Sequence, residues 1–559
     1  MKPRHKYQST MGARYKTPFR LNMRHPLNRA MAFAVVLLFF LSLMLRPETS
    51  NVRSRLFGAV EEASKKKHMD EIVAVDDDPL SLSPFMDVEL EPISTHQMDC
   101  SIDSAHLSEL RKRHDLSYTV QYLKRYVRFA RTDGLERSQM TKLNQTMVTG
   151  KFKTVQIGRK YQKEECQAPL ELPVPKSGFP ATVNASDFLF GVSTTYERFM
   201  NPDTTPIGEW IYWLTDSHGH TNGAHLVLML LDATDHQLQE VANLLGDVGI
   251  NVDVYHSDSG TEMAVRYVTL VPTLYTHREA ANKKWLVTCD DDTYFPSMHG
   301  LINKLKTYDS ELPMYIGTLS EDAGAVERHG SQAFGGAGVF LTLSMAEKIT
   351  ANYEECSNEK SIHKANSGWG AQGDILLRNC IYEHSDTRLT NLWDLWQLDF
   401  LGDPSGFYEW GIKPLSLHHY RGRGWHLSRP VQMSKIAHTC GEDCTMLRFK
   451  TSDNFIVSGY SVAHYPQGVN FDYRQVESTL WAPAPNRGWN FDYMFGPQRP
   501  SLHRTGRKIA WELVESEVNP DGSVIQTYIR HKTDERWVGK DEKPMSKVDG
   551  IIELVWIPE

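Results

Sequence analysis

The stretch KKWLVTCDDDTYFPSM, residues 283–298, joins an apolar run to three consecutive carboxylates, Asp290, Asp291 and Asp292. Neighbouring carboxylates repel one another, and in a partly desolvated place each disfavours ionisation of the next unless a cation or several donors compensate. The run WLVTC has the length and composition of a buried β-strand. The stretch therefore predicts a strand whose carboxyl end carries an acidic cluster that needs a partner.

Similar apolar runs precede this strand. DFLFGVSTT, AHLVLMLLDA and VDVYHSD each end in polar or turn residues, and pieces of helical periodicity such as DHQLQEVANLLGDVG separate them. This alternation predicts an α/β fold with a mainly parallel sheet flanked by helices. Polar residues that follow the carboxyl ends of such strands line the ligand crevice, so we expect the three aspartates to lie there.

The composition is that of a globular protein with a substantial core. The chain has 559 residues, of which 40% are hydrophobic and 10% aromatic, and this length allows more than one domain. The net charge of -8 gives no overall reason to expect nucleic acid as a partner.

The amino-terminal segment has the pattern of a membrane anchor. Residues 1–29 carry eight Lys or Arg and no acidic residue, and the uncharged run AMAFAVVLLFFLSLML, Ala30–Leu45, follows. A span needs about 20 apolar residues, so this run suits a thin membrane. The alternative is a cleaved signal peptide, although no small-x-small cleavage site follows. The positive-inside bias predicts a cytosolic tail and a lumenal body, a single-pass type II arrangement.

Composition divides the remainder of the chain into four regions. Residues 46–100 are polar and Pro-containing, which predicts a flexible stem in which the triplet Asp76–Asp78 is solvated. Residues 101–186 space their apolar residues at three and four, which predicts a helical lead-in region. Residues 187–438 hold the α/β pattern, and residues 439–559 cluster β-formers around turns, which predicts a β-rich C-terminal region.

The cysteines and sequons fit a lumenal body. Of seven cysteines, six could pair in an oxidising compartment, and Cys289, inside the apolar run, is expected to be the odd buried thiol. Cys440 and Cys444 are close enough in sequence to close a small loop. The triplets beginning at Asn144 and Asn184 match the N-glycosylation pattern.

Three downstream motifs could take part in a site with the aspartates. QAFGGAGVFLT contains Gly335 and Gly336, which would let the backbone approach a ligand closely or form only a tight turn. Asp374 precedes a predicted helix and is either a cap or first-turn residue or a base beside an acceptor hydroxyl. His418 and His419 follow a short apolar run, and an imidazole there could complete a metal site or pack in the core.

These motifs, in this order, resemble the β1,3-glycosyltransferases of glycosyltransferase family 31, which contains Fringe and core 1 galactosyltransferase. The resembling elements are the strand followed by DDDTYF, then FGGAGVFLT, then GWG with GD, then LSLHHY, and they look most like the fungal members. FLFGVSTTYERF also resembles the family's first strand. The resemblance covers about residues 187–425 and implies a GT-A fold with a Rossmann-like sheet.

The resemblance also implies a metal site and a nucleotide site. Asp292 would ligate Mn²⁺ or another divalent cation together with His418, with His419 as the alternative ligand. Asp290 and Asp291 would lie close to the ribose and the metal shell. Further residues expected at the nucleotide are Thr194, Thr195, Gly335 and Gly336.

On the acceptor side, the resemblance implies that Asp374 is the catalytic base. The residue before it departs from the family pattern, because Gly373 stands where many relatives have a second acidic residue. Trp369 is expected to be an acceptor-side aromatic residue.

The implied activity is transfer of a hexosyl or N-acetylhexosaminyl group from a UDP-sugar to a glycan or glycoprotein hydroxyl, with inversion and a β1,3 linkage. The implied location is the Golgi membrane, with the anchor at Ala30–Leu45, and a homo-oligomer is compatible with it. Two other classes of protein are alternatives. One is a non-catalytic lumenal glycan-binding protein or chaperone with a transferase-like fold. The other is a calcium-dependent adhesion or lectin-type protein, although no EF-hand spacing surrounds the aspartates.

Overall fold

The computed structural model describes residues 98–162, 165–422, 424–481 and 491–559. These residues belong to one of the two compact units of the chain, residues 78–559. The predicted basic tail and membrane anchor lie outside the described residues, as does the predicted stem up to residue 97. Among the helices of the described ranges, none combines the length and apolar character that a membrane span requires.

The part of the chain that the structure describes contains twenty-one strands in four sheets. The strands are β1 Thr119–Thr132, β2 Thr141–Lys142, β3 Lys153–Gln156, β4 Leu170–Pro175, β5 Phe188–Thr195, β6 His225–Leu231, β7 Val252–His256, β8 Trp285–Cys289, β9 Tyr315–Gly317, β10 Val339–Leu341, β11 Thr390–Asn391, β12 Leu395–Trp396, β13 Leu401–Gly402, β14 Ser416–Leu417, β15 Phe449–Lys450, β16 Phe455–Val457, β17 Ser461–His464, β18 Leu480–Trp481, β19 Ile509–Val518, β20 Val524–Arg530 and β21 Asp549–Pro558.

Fifteen α-helices connect these strands within the described residues. The helices are α1 Ser104–Arg113, α2 Tyr196–Met200, α3 Ile207–Leu214, α4 Asp235–Asp247, α5 Met263–Thr276, α6 Met298–Leu305, α7 Ala323–His329, α8 Leu343–Ala351, α9 Tyr353–Cys356, α10 Glu359–Lys364, α11 Gly373–His384, α12 Ser405–Tyr408, α13 Pro430–Ser434, α14 Ala437–Cys440 and α15 Asp492–Phe495. Short 3₁₀ turns lie at Pro180–Thr182, Ala280–Asn282, Gly335–Ala337 and Glu442–Cys444.

The predicted α/β sheet is present. It has the strand order β11-β9-β10-β8-β5-β6-β7, and its neighbours β8, β5, β6 and β7 pair in parallel. Every residue of β8 is buried, as a strand covered on both faces requires. Strand β10 is antiparallel to both of its neighbours, so the sheet is mixed at that side.

A second sheet joins the two ends of the described chain. Its order is β2-β15-β16-β17-β19-β20-β21-β1-β3, with β4 beside β1. Strands β1 and β21 pair in parallel from Val120 and Asp549 to Phe129 and Pro558. Most strands of the β-rich C-terminal region therefore belong to the same sheet as the strands of residues 119–175.

The helical prediction for residues 101–186 is wrong for most of that segment. Helix α1 is the one α-helix there among the described residues, and TVQYLKRYVRFART forms the 14-residue strand β1. Val120, Tyr122, Val127 and Phe129 are buried, and β-branched and aromatic residues of this kind favour a pleated surface. The apolar spacing of three and four imitated a helix because both faces of the strand are partly buried.

The disulfide pattern agrees with the sequence prediction. Disulfides join Cys100 to Cys166, Cys356 to Cys380 and Cys440 to Cys444, so the small loop forms as expected. Cys289 is free and buried, and burial raises the pKa of its thiol. The second disulfide ties α9 to α11, the helix that begins beside Asp374.

A buried ion network joins the C-terminal strands to residues that follow the α/β sheet. The Lys508 ammonium is inaccessible to solvent and lies 2.7 Å from a Glu409 oxygen and 3.0 Å from a Glu477 oxygen. Arg499 pairs with the same Glu477 at 2.8 Å. Because a buried charge is costly unless it is paired, the Glu409 carboxylate requires Lys508, whereas Glu477 has Arg499 as a second partner.

We predict that Lys508→Met destabilises the protein by about 3–5 kcal/mol, because the substitution leaves the buried Glu409 carboxylate without its cation. Thermal and denaturant unfolding of the full chain measure this change. Lys543→Met is the matched control, since Lys543 is 81% exposed and pairs with Asp541 at the surface. Equal stability of the two variants would contradict the proposed importance of the network.

Candidate active site

The three aspartates lie at the carboxyl edge of the parallel strands, as predicted. Strand β8 ends at Cys289, and Asp290–Asp292 follow it directly, while β5 ends nearby at Thr194 and Thr195. A cavity of about 580 Å³ opens at this edge. It is lined by every predicted catalytic, nucleotide and metal residue: Thr194, Thr195, Asp290, Asp291, Asp292, Gly335, Gly336, Asp374 and His418.

His418 contacts two of the aspartates across this cavity. Its Nε2 lies 3.0 Å from Asp292 Oδ1 and 3.3 Å from Asp290 Oδ2, and its side chain is 3% exposed. The three ligand atoms lie within 4.8 Å of one another. His418 follows β14, which is bonded to Tyr294 of the segment after the aspartates, and this bridge brings the imidazole to the carboxylates.

Gly336 leaves the space that His418 occupies. A Cβ at position 336 would lie 2.1 Å from His418 Cε1, so a larger residue there would displace the imidazole. Gly335 packs in the same way against Tyr267, whose hydroxyl oxygen would be 2.7 Å from an added Cβ. The two glycines therefore shape the walls of the cavity, which is one of the two interpretations of their motif.

The charges in this cluster are strongly coupled. Burial lowers the pKa of His418, but Asp292 and Asp290 outweigh it and raise this pKa to about 10. Burial opposes ionisation of Asp292, and the His418 imidazolium nevertheless holds the pKa of that carboxyl well below its usual range. An imidazolium thus balances the carboxylates, at the position where a metal ion would compete with its proton.

The donor set fits a divalent cation such as Mn²⁺. Two carboxylates and one imidazole from Asp290, Asp292 and His418 are oxygen and nitrogen ligands, which suit Mn²⁺ better than the sulfur-preferring metals. The cluster also opens into a cavity large enough for further ligands. Of the two candidate histidines, His418 is the one that contacts these carboxylates.

The Asp291 carboxylate is paired with Arg198, a contact that the sequence did not predict. Its side chain is 5% exposed and accepts hydrogen bonds from Arg198 Nε at 2.5 Å, from Arg198 Nη2 at 2.7 Å and from the Thr194 hydroxyl at 2.5 Å. Asp291 lines the cavity but is not grouped with Asp290, Asp292 and His418 as a possible metal ligand. The Thr195 hydroxyl accepts from the Arg198 backbone N–H and caps α2, so both threonines help to hold Arg198.

Two arginines at the cavity were missed at the sequence level. Arg198 is 40% exposed and lies 3.5 Å from Asp292. Arg421 donates to the Thr204 carbonyl at 2.6 Å and to the Asp291 carbonyl at 3.3 Å, and pairs with Glu209. The one signal in the sequence that could have indicated them is their position, three residues after Thr195 and two residues after His419.

Asp374 lies in the first turn of α11, on the wall of the cavity. It is not the cap residue, because Gln372 holds that position and makes no side-chain capping bond. Burial raises the pKa of Asp374 to about 6, and the nearby charges of Asp290 and Asp399 act in the same direction. A carboxylate with such a pKa is a stronger base than an exposed one and is still ionised at neutral pH.

The structure explains why glycine precedes this aspartate. A Cβ at Gly373 would lie 2.6 Å from Tyr267 Cβ, so an acidic side chain cannot fit without moving Tyr267. The packing of Tyr267 against this position therefore requires glycine. Trp369, between two positive-φ glycines in the preceding loop, is 82% exposed and is not among the residues that line the cavity.

A second group of possible ligands lies at the opposite edge of the sheet. Nε2 of His225 and Nε2 of His277 lie 2.9 and 3.0 Å from one Asp253 oxygen. The Glu279 N–H donates to His277 Nδ1, so Nε2 carries the proton and donates to Asp253. Arg278 also pairs with this carboxylate at 2.9 Å. These groups form a hydrogen-bond network around Asp253, and His225 Nδ1 has no hydrogen-bond partner among the described residues.

The comparisons with known proteins agree with this site. A family model described as Fringe-like matches residues 221–399, which include Asp290–Asp292 and Asp374. No curated protein matches the chain in sequence.

Three solved structures show low similarity to the chain. The apo form of mouse xyloside xylosyltransferase 1 is 10% identical over 36% of this chain and 84% of its own, with a TM-score of 0.24. The mannosyltransferase PcManGT of Pyrobaculum calidifontis, in complex with GDP-Man and Mn²⁺, is 12% identical over 38% and 57%, with a TM-score of 0.23. GlyE of Streptococcus pneumoniae TIGR4 is 13% identical over 44% and 58%, with a TM-score of 0.26.

The Fringe-like family model matches a central part of the site. That model spans the acidic cluster, the glycine turn and the candidate base, all of which meet at one cavity. Residues 221–399 therefore form a Fringe-like domain.

Proposed function

We propose that this protein is a metal-dependent, inverting glycosyltransferase that moves a hexosyl or N-acetylhexosaminyl group from a UDP-sugar to a hydroxyl of a glycan or glycoprotein. The β1,3 linkage, the GT-A classification and a single-pass type II position in the Golgi membrane complete the proposal. The observation that carries it is the convergence of Asp290, Asp292, His418 and Asp374 on one cavity.

The cavity offers the parts that donor binding requires. Asp290, Asp292 and His418 would hold the divalent ion, which supplies positive charge to the departing diphosphate. Arg198 and Arg421 add fixed positive charge to the same wall. Electrostatic stabilisation of a leaving group is strongest when the charges are already in place. Here the Asp291 carboxylate holds the Arg198 guanidinium, and the Asp291 backbone carbonyl accepts from Arg421.

Asp374 performs the proton transfer in this proposal. Its carboxylate accepts the proton of the acceptor hydroxyl while that oxygen attacks the anomeric carbon from the face opposite the leaving diphosphate. The new C–O bond forms as the bond to the diphosphate breaks, and a single displacement inverts the anomeric configuration. A retaining route would need a carboxylate nucleophile placed at the donor sugar.

Product analysis tests the proposal. The purified chain is incubated with Mn²⁺, a panel of UDP-sugars and a mixed set of glycan acceptors, and the products are identified by mass and by anomeric configuration. We expect one UDP-sugar to give an inverted product that disappears when the metal is chelated. Glycan binding without transfer from any donor would favour the non-catalytic alternative, and a retained configuration would contradict the single displacement.

The pKa of Asp374 predicts the acidic limit of the reaction. Because the base acts in its ionised form and its pKa is about 6, kcat/KM should fall as pH drops through this region, by about tenfold for each unit below it. The measurement is kcat/KM for the acceptor from pH 4.5 to 8 at saturating Mn²⁺ and donor. The kcat/KM that remains in Asp374→Asn should not fall with pH in this region. A fall with the same midpoint in that variant would show that another group titrates.

A further inference from the structure

The imidazole of His418 is oriented in an unusual way for a metal ligand. In most metal sites the second ring nitrogen of a ligating histidine donates to a carboxylate, a carbonyl or a water, and this bond fixes the ring. His418 Nδ1 is buried and has no hydrogen-bond partner among the described residues. Apart from the contacts of Nε2 with Asp292 and Asp290, packing therefore orients the ring, and its neighbours in this packing are Gly336 and His419.

His419 forms the centre of a stack of three rings. Its ring centroid lies 3.8 Å from that of His418 and 4.0 Å from that of Trp425, and the planes of His419 and Trp425 differ by 12°. The backbone of His419 has a φ of 53°, in the left-handed region that residues other than glycine seldom adopt. Such a conformation persists only when the surroundings determine it strongly.

Asp399 supplies the polar anchor of this stack. Its Oδ1 lies 2.9 Å from His419 Nδ1, within ion-pair distance but without hydrogen-bond geometry at Nδ1, and its side chain is 13% exposed. The Ser320 hydroxyl donates to the other oxygen of Asp399 at 3.0 Å. The contacts run from Ser320 through Asp399 and His419 to His418, so the carboxylate is held from the side away from the metal ligands.

The turn that carries Asp399 is itself fixed by a buried carboxyl group. Glu321 accepts from the backbone N–H of Leu398 at 2.9 Å and from that of Asp399 at 3.3 Å, and it is inaccessible to solvent. Leu398 also has a positive φ, 61°. Two residues with a left-handed backbone conformation, Leu398 and His419, thus lie on the two sides of the contact between Asp399 and His419.

We propose that Asp399 is a positioning residue for the metal ligand His418 and acts through the ring of His419. The inference depends on the proposed metal site and adds to it a residue outside the ligand set. In this arrangement a stacked ring, held by Asp399, replaces the direct hydrogen bond that normally orients a ligating histidine. Loss of Asp399 frees His419, and His418 then loses the neighbour that limits its rotation.

Mn²⁺ binding without any sugar donor tests the inference, with free Mn²⁺ measured by electron paramagnetic resonance. Loss of an outer-shell partner typically costs about 10–100-fold in metal affinity, and we expect Asp399→Ala to raise the Kd for Mn²⁺ by at least about tenfold. Asp399→Asn, which keeps an acceptor oxygen, should recover part of the affinity. Asp253→Ala is the matched control, because it removes a carboxylate that contacts two buried histidines away from the cavity.

A Kd of Asp399→Ala within about twofold of that of Asp253→Ala would overturn the inference, since a positioning effect must exceed the cost of a generic Asp–His contact. If Asp399→Ala does not fold, His419→Phe decides the question. It keeps an aromatic ring in the stack and loses the contact with Asp399, so we expect the same rise in Kd. An unchanged Kd in His419→Phe likewise contradicts the role.

The outcome is separable from that of the proposed function. A wild-type chain that binds Mn²⁺ but transfers no sugar contradicts the transferase proposal, and the Kd values of the variants still decide the role of Asp399. A wild-type chain that binds no Mn²⁺ overturns the metal site and the positioning role together.

Discussion

Asp374→Asn is expected to retain Mn²⁺-dependent binding of the nucleotide sugar and to lose about 10³-fold in kcat for sugar transfer, within the range known for loss of a general base. The amide is nearly isosteric with the carboxylate but cannot accept the acceptor's proton. The substitution also removes a buried carboxyl whose pKa is already raised, so no paired charge is left behind. Donor affinity is measured by calorimetry and transfer by product formation.

Asp386→Asn provides the matched control for this variant. Asp386 is exposed two residues beyond the end of the same helix, and its substitution should change neither quantity. If Asp374→Asn transfers sugar at the rate of the control, Asp374 is not the base. If it loses donor binding as well, Asp374 acts in forming the donor site and the assignment is wrong.

Asp292→Ala should abolish Mn²⁺-dependent donor binding and reduce transfer by at least about 10³-fold, because metal stabilisation of a leaving group contributes several kcal/mol. The substitution removes the carboxylate closest to His418 and leaves the pair between Arg198 and Asp291 in place. Calorimetric titration of UDP with and without Mn²⁺ measures the effect.

The same titration on Asp309→Ala, which removes an exposed aspartate beyond α6, controls for the loss of a negative charge. Donor binding should be unchanged in this variant. Binding of UDP to Asp292→Ala that still depends on Mn²⁺ would show that the ion is held elsewhere. Comparison with Asp374→Asn then separates the two roles, because one variant loses binding and the other loses only transfer.

The strand before the aspartates was predictable because WLVTC is apolar throughout and is followed at once by charge. This pattern predicts that the strand is buried, and it also predicts the residue at which the strand ends. The contact between Asp292 and His418 was predicted from the order of the motifs, because no local sequence pattern indicates it. The two are far apart in sequence, and the bridge between Tyr294 and Leu417 that joins them leaves no local signal.

Other features depend on tertiary contacts that no short pattern reports. Strand β1 has its apolar residues at helix-like spacing, and its pairing with β21, more than 400 residues later, overrides that spacing. Asp291 was indistinguishable from its neighbours in sequence, and its hydrogen bond with Arg198 is visible only in the structure. Asp399 lies in an unremarkable run, LDFLG, and its contact with His419 is visible only in three dimensions.

Anomalous diffraction from crystals grown with Mn²⁺ and UDP tests the central claim most directly, namely that one divalent ion is held jointly by Asp292 and His418 beside Asp374. We predict a single manganese peak in the cavity, at bonding distance from an Asp292 oxygen and His418 Nε2 and in contact with the diphosphate. A manganese peak bonded to neither residue, or UDP bound in the cavity without any metal, would contradict the claim.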